Sequence, residues 1–451
     1  MKRLPSSLLS TTLALSAAAC ILTETLAWAA ATSTTDQAAY TERKQAGEKQ
    51  IEKPFTLNDQ CPPSFERLAD NTCQLRTLYD FYDSPAQHGG VQAELPTMKI
   101  KMTPQQIDLS RFLFFDPLLS ANQDMSCASC HQTDKGLSDG LKRSMGAQQQ
   151  TTIQQTTQTT GLQQTSTRLE LNRSTPTLWN VGLLQQFMWD GRATSLQAQA
   201  ELPLLAKEEM GNTREGVVQA LNSSANYIAL FETAYGQKPD MANITHALSA
   251  FQSTLISFNS RYDRYAHGDK SALSDQEVRG YNAFRGFVGR CSQCHVPPLF
   301  TDSELAVIGA PANDQGYIDS GAGALSDDAF KQGAFRVPTL RNISKTAPYF
   351  HSGQFKDLTE VVEFYNNTRG HAAPEDQPLK IHWHIHMTQG AQLSQQNVAD
   401  IVAFLAALED ETHLPQIPNV LPSGLQPVAS LTPASSQSQP DKLPAEQALS
   451  Q

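Results

Sequence analysis

Cys127-Ala-Ser-Cys130-His131 and Cys291-Ser-Gln-Cys294-His295 are the two stretches on which the reading of this 451-residue chain turns. Each has the CxxCH spacing of a covalent c-type haem site. The two thiols of such a motif add across the vinyl groups of one porphyrin, and the adjoining histidine is held under the iron as its proximal ligand. Seven cysteines and eleven histidines in 451 residues do not yield two such pentapeptides by chance. Two haem c groups are therefore expected, bound by Cys127, Cys130 and His131 and by Cys291, Cys294 and His295. The competing reading is a pair of zinc or redox CxxC motifs that happen to precede histidines.

The composition suits two or three soluble domains, with 39% hydrophobic and 18% charged residues. A net charge of −11 argues against nucleic acid or an anionic membrane as partner and leaves a basic redox protein open. Residues 1–29 read as an export signal: Lys2 and Arg3, an apolar stretch from Leu8 to Leu22, then Ala27-Trp28-Ala29 before the expected cleavage. That stretch is short for a bilayer span, so no stable membrane insertion is expected. Lipidation at Cys20 is the weaker alternative, because Ala17 stands where such a signal prefers leucine. Export places the chain in the bacterial periplasm, where c-type haem is attached. Once four cysteines are assigned to haem and Cys20 to the signal, Cys61 and Cys73 remain, and an oxidising compartment leads one to expect a disulfide between them, with two free thiols as the alternative.

Residues 30–60 read as a linker or arm. An N-terminal haem domain is expected over 61–260, interrupted by a Gln/Thr-rich low-complexity loop at 148–164. A second haem domain is expected over 261–411. Ser274-Asp-Gln-Glu277 is a capping box opening a helix that carries Val278, Tyr281 and Phe284 to Cys291. Val398, Ile401, Val402, Leu405 and Leu408 mark a closing amphipathic helix with Ser394 as N-cap. Strand-like alternation is scarce, so the expected fold is mainly α: two c-type cytochrome-like haem domains with long loops. The Pro-, Ser- and Gln-rich stretch 412–451 is expected to be a disordered tail.

Longer strings carry a resemblance. Leu113-Phe-Phe-Asp-Pro, Leu119-Ser-Ala-Asn and Ser126-Cys-Ala-Ser-Cys-His, with Pro176-Thr-Leu-Trp-Asn and Phe187-Met-Trp-Asp-Gly-Arg-Ala193, resemble the first haem region of the bacterial dihaem cytochrome c peroxidase / MauG family. Phe335-Arg-Val-Pro-Thr-Leu-Arg-Asn342 and Thr346-Ala-Pro-Tyr-Phe-His-Ser-Gly353 resemble its second domain. The likeness covers about residues 100–410, with the strings in family order. It implies that His131 ligates a peroxidatic haem and His295 an electron-transfer haem. It also implies that Trp189 lies between them and that Glu209 is the distal carboxylate, with Glu208 as the adjacent alternative. Gln199 and Pro203 match other distal-pocket residues. A carboxyl beside an open iron face can carry a proton from the near to the far oxygen of peroxide.

Two departures from the peroxidases lean toward MauG. Many of those enzymes place a distal histidine after the first CxxCH. Here no histidine follows His131 until His246, and Gln148 stands near the expected position. Tyr365 stands where they place the axial methionine of the second haem, with Met387 as the competing ligand. A phenolate is a hard anionic ligand, whereas a thioether favours ferrous iron. Thr346 and Pro348 match carbonyl donors of an inter-haem calcium, although the upstream amide ligand is replaced by Ser174. His351 matches a structural histidine near the second haem. His382, His384 and His386 could bind a transition metal in an extended segment, but read better as an exposed insert.

The sequence thus points to a peroxidase-type oxidoreductase that takes hydrogen peroxide at the first haem. Electrons come through the second haem, either from a small redox protein (a c-type cytochrome or a cupredoxin) or from aromatic residues of a partner protein. The alternative is a non-enzymatic dihaem electron-transfer cytochrome with both irons six-coordinate.

Overall fold

The computed structural model describes residues 55–87, 95–155, 162–367, 392–410 and 412–428. The export segment, the three clustered histidines and Met387 lie outside them. Among the described residues no helix is long and apolar enough to cross a membrane. The fold is mainly α-helical, and the six strands among the described residues form three two-stranded antiparallel sheets.

Two helical cores hold the haem motifs. In the first, Thr103 caps the Pro104–Phe115 helix, and Gln106 completes a capping box behind Pro104 at the first helical position. This helix buries Leu109, Leu113 and Phe114 completely. It crosses the Met241–Ser253 helix, whose Ile244, Ala247, Leu248 and Phe251 recur at helical spacing on a buried face. Phe114 meets Phe251 at 5.0 Å between ring centroids and the His131 ring at 6.4 Å. One apolar face thus both closes the core and backs the first haem motif.

In the second core, the capping box at Ser274 and Glu277 starts the Asp275–Arg285 helix, and Ser394 caps Gln395–Ala406. Tyr281, Phe284, Phe300 and Phe404 pack as one aromatic cluster between them. Each such buried ring contributes about 1.5–3 kcal/mol. Gly280 sets the crossing distance, since a Cβ there would lie 1.8 Å from the Asp400 carbonyl oxygen. Arg341, fully buried, is held by Asp263, with Nη2 donating to Oδ1 at 2.8 Å, and by the Pro298 carbonyl.

Cys61 and Cys73 form a disulfide, with Cα atoms 5.6 Å apart. It ties the Phe65–Arg67 and Cys73–Leu75 ribbon to a small third core containing Met102, Ile107 and Phe258.

Three expectations need correction. The Gln/Thr stretch is not simply a loop: Met145–Gln155 pairs antiparallel with Leu162–Glu170, in register from Gln150 opposite Thr167 to Gln155 opposite Leu162. Repeated threonines favour extended backbone. A two-stranded ribbon also needs no alternating apolar face for its ladder, so hydrophobic periodicity was silent. The second correction concerns the tail, because its segment from Leu421 to Val428 packs against the first core, while 429–451 lie outside the described residues. Leu421 and Leu425 are buried in the first core at 0% and 4% exposure. Ser423 donates to buried Asp116 at 2.9 Å, and Pro422 O accepts from Ser224 and Asn226. Two leucines four residues apart anchor a segment whose average composition looks disordered. Third, the end of the presumed arm is docked: Phe55 meets Phe112 edge-on at 5.6 Å, and the Asn58 amide donates to Asp108.

Replacing Gly280 with Ala forces a methyl group into the Asp400 backbone and should cost about 1–3 kcal/mol. Denaturant unfolding followed by tryptophan fluorescence should show an earlier midpoint; an unchanged midpoint would mean the two helices can separate freely.

Candidate dihaem site

The first cradle is one short helix. Cys127–Cys130 makes a single turn with Ser126 at its N-cap, and His131 follows as C-cap with its N–H on Cys127 O. The imidazole Nδ1 lies 2.9 Å from Leu137 O, so it donates there and leaves Nε2 available to iron. Leu137 presents that carbonyl from the left-handed region, at φ 59°, a conformation that costs a non-glycine residue about 1–2 kcal/mol. Burial lowers the affinity of His131 for a proton, keeping the ring neutral as a metal ligand must be. Burial pushes the Cys127 thiol up to about 12 and raises Cys130 further, with Asp139 and Glu209 adding to the effect.

Glu209 stands close enough to Cys130 to act on it electrostatically. It lies on a tight turn after the Leu196–Leu205 helix, where Glu209 N and Gly211 N both bond Ala206 O and Met210 N bonds Pro203 O. Gly211 closes the turn at φ 66°. The Gln/Thr ribbon braces it, since Ala147 N donates to Glu208 O at 3.1 Å. Gly146 has no room for a side chain, as a Cβ would fall 1.7 Å from that same oxygen. Glu209 is half-buried and Glu208 exposed. Burial raises the Glu209 carboxyl above its ordinary value, against the pull of Arg192. Gln199 leaves its buried Oε1 without a protein partner, while its Nε2 approaches Met188 Sδ at 3.7 Å. Pro203 sits inside the same helix.

His246 is remote from this pocket in its bonding. Its Nδ1 pairs with Tyr235 Oη and its Nε2 with Lys101 O. Gln148 is a strand residue opposite Arg168 at a register shift.

The second cradle is a large, mainly apolar cavity lined by Cys291, Cys294, His295, Trp189, Arg336 and Tyr365. His295 Nδ1 lies 3.2 Å from both Phe300 O and Pro338 O, again leaving Nε2 for a metal. Phe300, like Leu137, is left-handed, at φ 54°. Burial keeps His295 neutral. Tyr365, on the Leu358–Asn367 helix, faces this cavity. Burial raises its phenol well above the usual range, and the nearby Cys291 and Cys294 add to that. Thr346 and Pro348 line the same cavity, but the Ser174 hydroxyl already donates to Phe350 O at 2.9 Å. Among the described residues no three His, Cys, Asp or Glu side chains converge on a metal site. His351 is stacked on Phe335 at 3.9 Å, and burial lowers it to about 4, so it is a neutral packed ring.

Trp189 lines the second cradle. Its Nε1 donates to Ser174 O at 2.8 Å, and its own carbonyl accepts from Arg336 N. Ser174 runs into Thr177, whose hydroxyl donates to Gly136 O beside Leu137 in the first haem loop. On its other side, Met188 touches Gln199. Arg173 bridges Asp190 and Asp319, locking the segment after Trp189 to the second half of the chain.

Both cradles fit a covalently attached haem: each offers two cysteines outside any disulfide and a neutral imidazole with one nitrogen committed to a carbonyl. Sequence reasoning missed Arg192 as the charge facing Glu209 and the carbonyls of Leu137, Phe300, Pro338 and Ser174. Arg192 stood within a quoted string; backbone acceptors leave no side-chain signature.

The family model of the di-haem cytochrome c peroxidases matches residues 104–271. The methylamine utilization protein MauG of Methylorubrum extorquens is 34% identical over 327 residues, 70% of this chain and 82% of that one. The cytochrome c551 peroxidase of Nitrosomonas europaea is 33% identical over 286 residues, 62% of this chain and 79% of that one. Among solved structures, a MauG-like protein associated with microbial copper homeostasis superposes with a TM-score of 0.60 at 25% identity, covering 80% of this chain and 98% of its own. With two haem cradles of this geometry and relatives of this extent, the chain belongs to the di-haem cytochrome c peroxidase / MauG family of oxidoreductases.

Proposed function

We propose that this chain is a periplasmic dihaem oxidoreductase that consumes hydrogen peroxide at the first haem and is re-reduced through the second, with aromatic residues of a partner protein as the favoured electron source. The observation that carries the reading is the half-buried Glu209, its proton affinity raised by burial, beside Cys130 of a first cradle after which the next histidine in the sequence, His246, is bonded elsewhere. The Cys61–Cys73 disulfide supports an oxidising compartment, in keeping with the export-like N-terminus.

Haem, once bound in both cradles, would supply the redox chemistry: oxidation by peroxide at the first iron and storage of the second oxidising equivalent at the other. The protein's residues do the rest. His131 and His295 are held in one tautomer and orientation by carbonyls. Glu209 receives the proton of the nearer peroxide oxygen and returns it to the farther one, which departs as water. Its raised affinity for a proton suits both halves of that transfer. Trp189, hydrogen-bonded to the segment that touches both cradles, offers an indole for electron passage. With haem bound in the second cradle, Tyr365 would be the candidate phenolate ligand of its iron; a bound cation would displace the proton that burial favours on the phenol. Calcium, on the Thr346 and Pro348 carbonyls, stays a proposal on the family likeness alone.

The donor is tested by adding peroxide to the oxidised protein and offering, in turn, a reduced c-type cytochrome and candidate partner proteins rich in exposed Trp and Tyr. Oxidation of the partner's aromatic residues with slow cytochrome turnover is expected; fast cytochrome turnover would reassign the chain to the peroxidases proper. Glu209→Gln should slow the reaction with peroxide about 10²–10⁴-fold in stopped-flow absorbance at unchanged haem content, with Glu208→Gln near wild type. Equal behaviour of the two variants would remove Glu209 from the mechanism. Tyr365→Phe should alter the electron paramagnetic resonance signal of the second haem, and an unaltered signal would exclude Tyr365 as ligand.

A further inference from the structure

The string Phe335-Arg-Val-Pro-Thr-Leu-Arg-Asn342 buries two arginines, and they differ in one respect. Arg341, fully buried, has Asp263. Arg336, 5% exposed, has no carboxylate within salt-bridge reach among the described residues. Its guanidinium meets only backbone carbonyls at long range, Nε to Met188 O at 3.3 Å and Nη1 to Val337 O at 3.4 Å. A buried charge without a counter-ion is expensive. Burial alone lowers its proton affinity, to about 10, and nothing in the protein opposes that. The second cradle is the cavity it lines. The other arginine lining that cavity, Arg290, is turned to Phe287, donating to its carbonyl at 2.8 Å and lying 3.6 Å over its ring.

We propose that Arg336 is the anchor for a propionate carboxylate of the porphyrin in the second cradle, its missing anion being supplied by the cofactor. A guanidinium grips a carboxylate through paired N–H groups, and such a pair is strongest where water is excluded. The position also has a consequence for electron flow. Arg336 N donates to Trp189 O at 2.8 Å and its side chain reaches Met188 O, so one residue ties the anionic edge of the porphyrin to the backbone of the bridging tryptophan. Arg336 is thus a cofactor-binding residue that sets how the second haem sits against Trp189 and, through its charge, how readily that haem is reduced. This inference rests on the second cradle holding haem.

The test uses the full-length, haem-loaded protein. Arg336→Gln should keep two haems per chain and the axial ligands of the wild type, while the reduction potential of the second haem shifts downward, since the reduced state loses a nearby cation. Arg336→Lys should keep part of the potential but shift the propionate bending mode in the resonance Raman spectrum, because a single ammonium replaces a fork of donors. An unshifted potential in Arg336→Gln with two haems present would overturn the assignment. If Arg336→Gln does not mature, the Raman mode of Arg336→Lys decides: a shift supports the contact and an unshifted mode overturns it. A wild-type chain carrying one haem would instead overturn the reading of the second cradle itself.

Discussion

Two imidazoles held by backbone carbonyls organise this molecule. His131 on Leu137 O, and His295 on Phe300 O and Pro338 O, each have one nitrogen committed and one directed for metal binding. Both arrangements use a left-handed non-glycine residue to bring a carbonyl under the ring. That strain is tolerated because the surrounding core over-determines it: Leu137 is fully buried in the first cluster and Phe300 in the second. The helices, the aromatic clusters and the disulfide-tied ribbon serve to hold these two turns and the segment between them.

The two cradles are not copies. Around the first, the carboxyl of Glu209 is lifted by burial, and a Gln/Thr ribbon braces the turn that carries it. Around the second, the cavity is lined by a phenol and by a guanidinium without a protein counter-ion. A carboxyl whose proton affinity is raised by burial suits the proposed work on a small oxidant; a phenol and an uncompensated guanidinium suit the proposed tuning of a redox centre. Trp189, which lines the second cradle, is bonded to Ser174 and followed by the clamp of Arg173 on Asp190 and Asp319.

What could be read from the sequence follows from what is local. Thioether chemistry needs its two cysteines and histidine within five residues, so the haem sites stood out unaided. Capping boxes are equally local, and Ser274 and Ser394 start their helices as their spacing implies. Glu209, Trp189 and Tyr365 were reached through longer strings; Glu209 acts electrostatically on Cys130, and Trp189 and Tyr365 line the second cradle. What stayed hidden was non-local or carried by the backbone. The Gln/Thr ribbon has no apolar alternation to betray it. Leu421 and Leu425 are two anchors in a tail of disordered composition. The unpaired state of Arg336, against the paired state of Arg341 five residues on, is a fact of three-dimensional neighbours only.

Peroxide chemistry in this protein depends on the first iron keeping one position open near Glu209. The most direct measurement is the electron paramagnetic resonance spectrum of the oxidised protein, recorded before and after one equivalent of hydrogen peroxide. A high-spin ferric component beside a low-spin one is expected, with the high-spin signal lost on addition. Two low-spin signals indifferent to peroxide would contradict that expectation and leave a carrier of electrons in place of an enzyme.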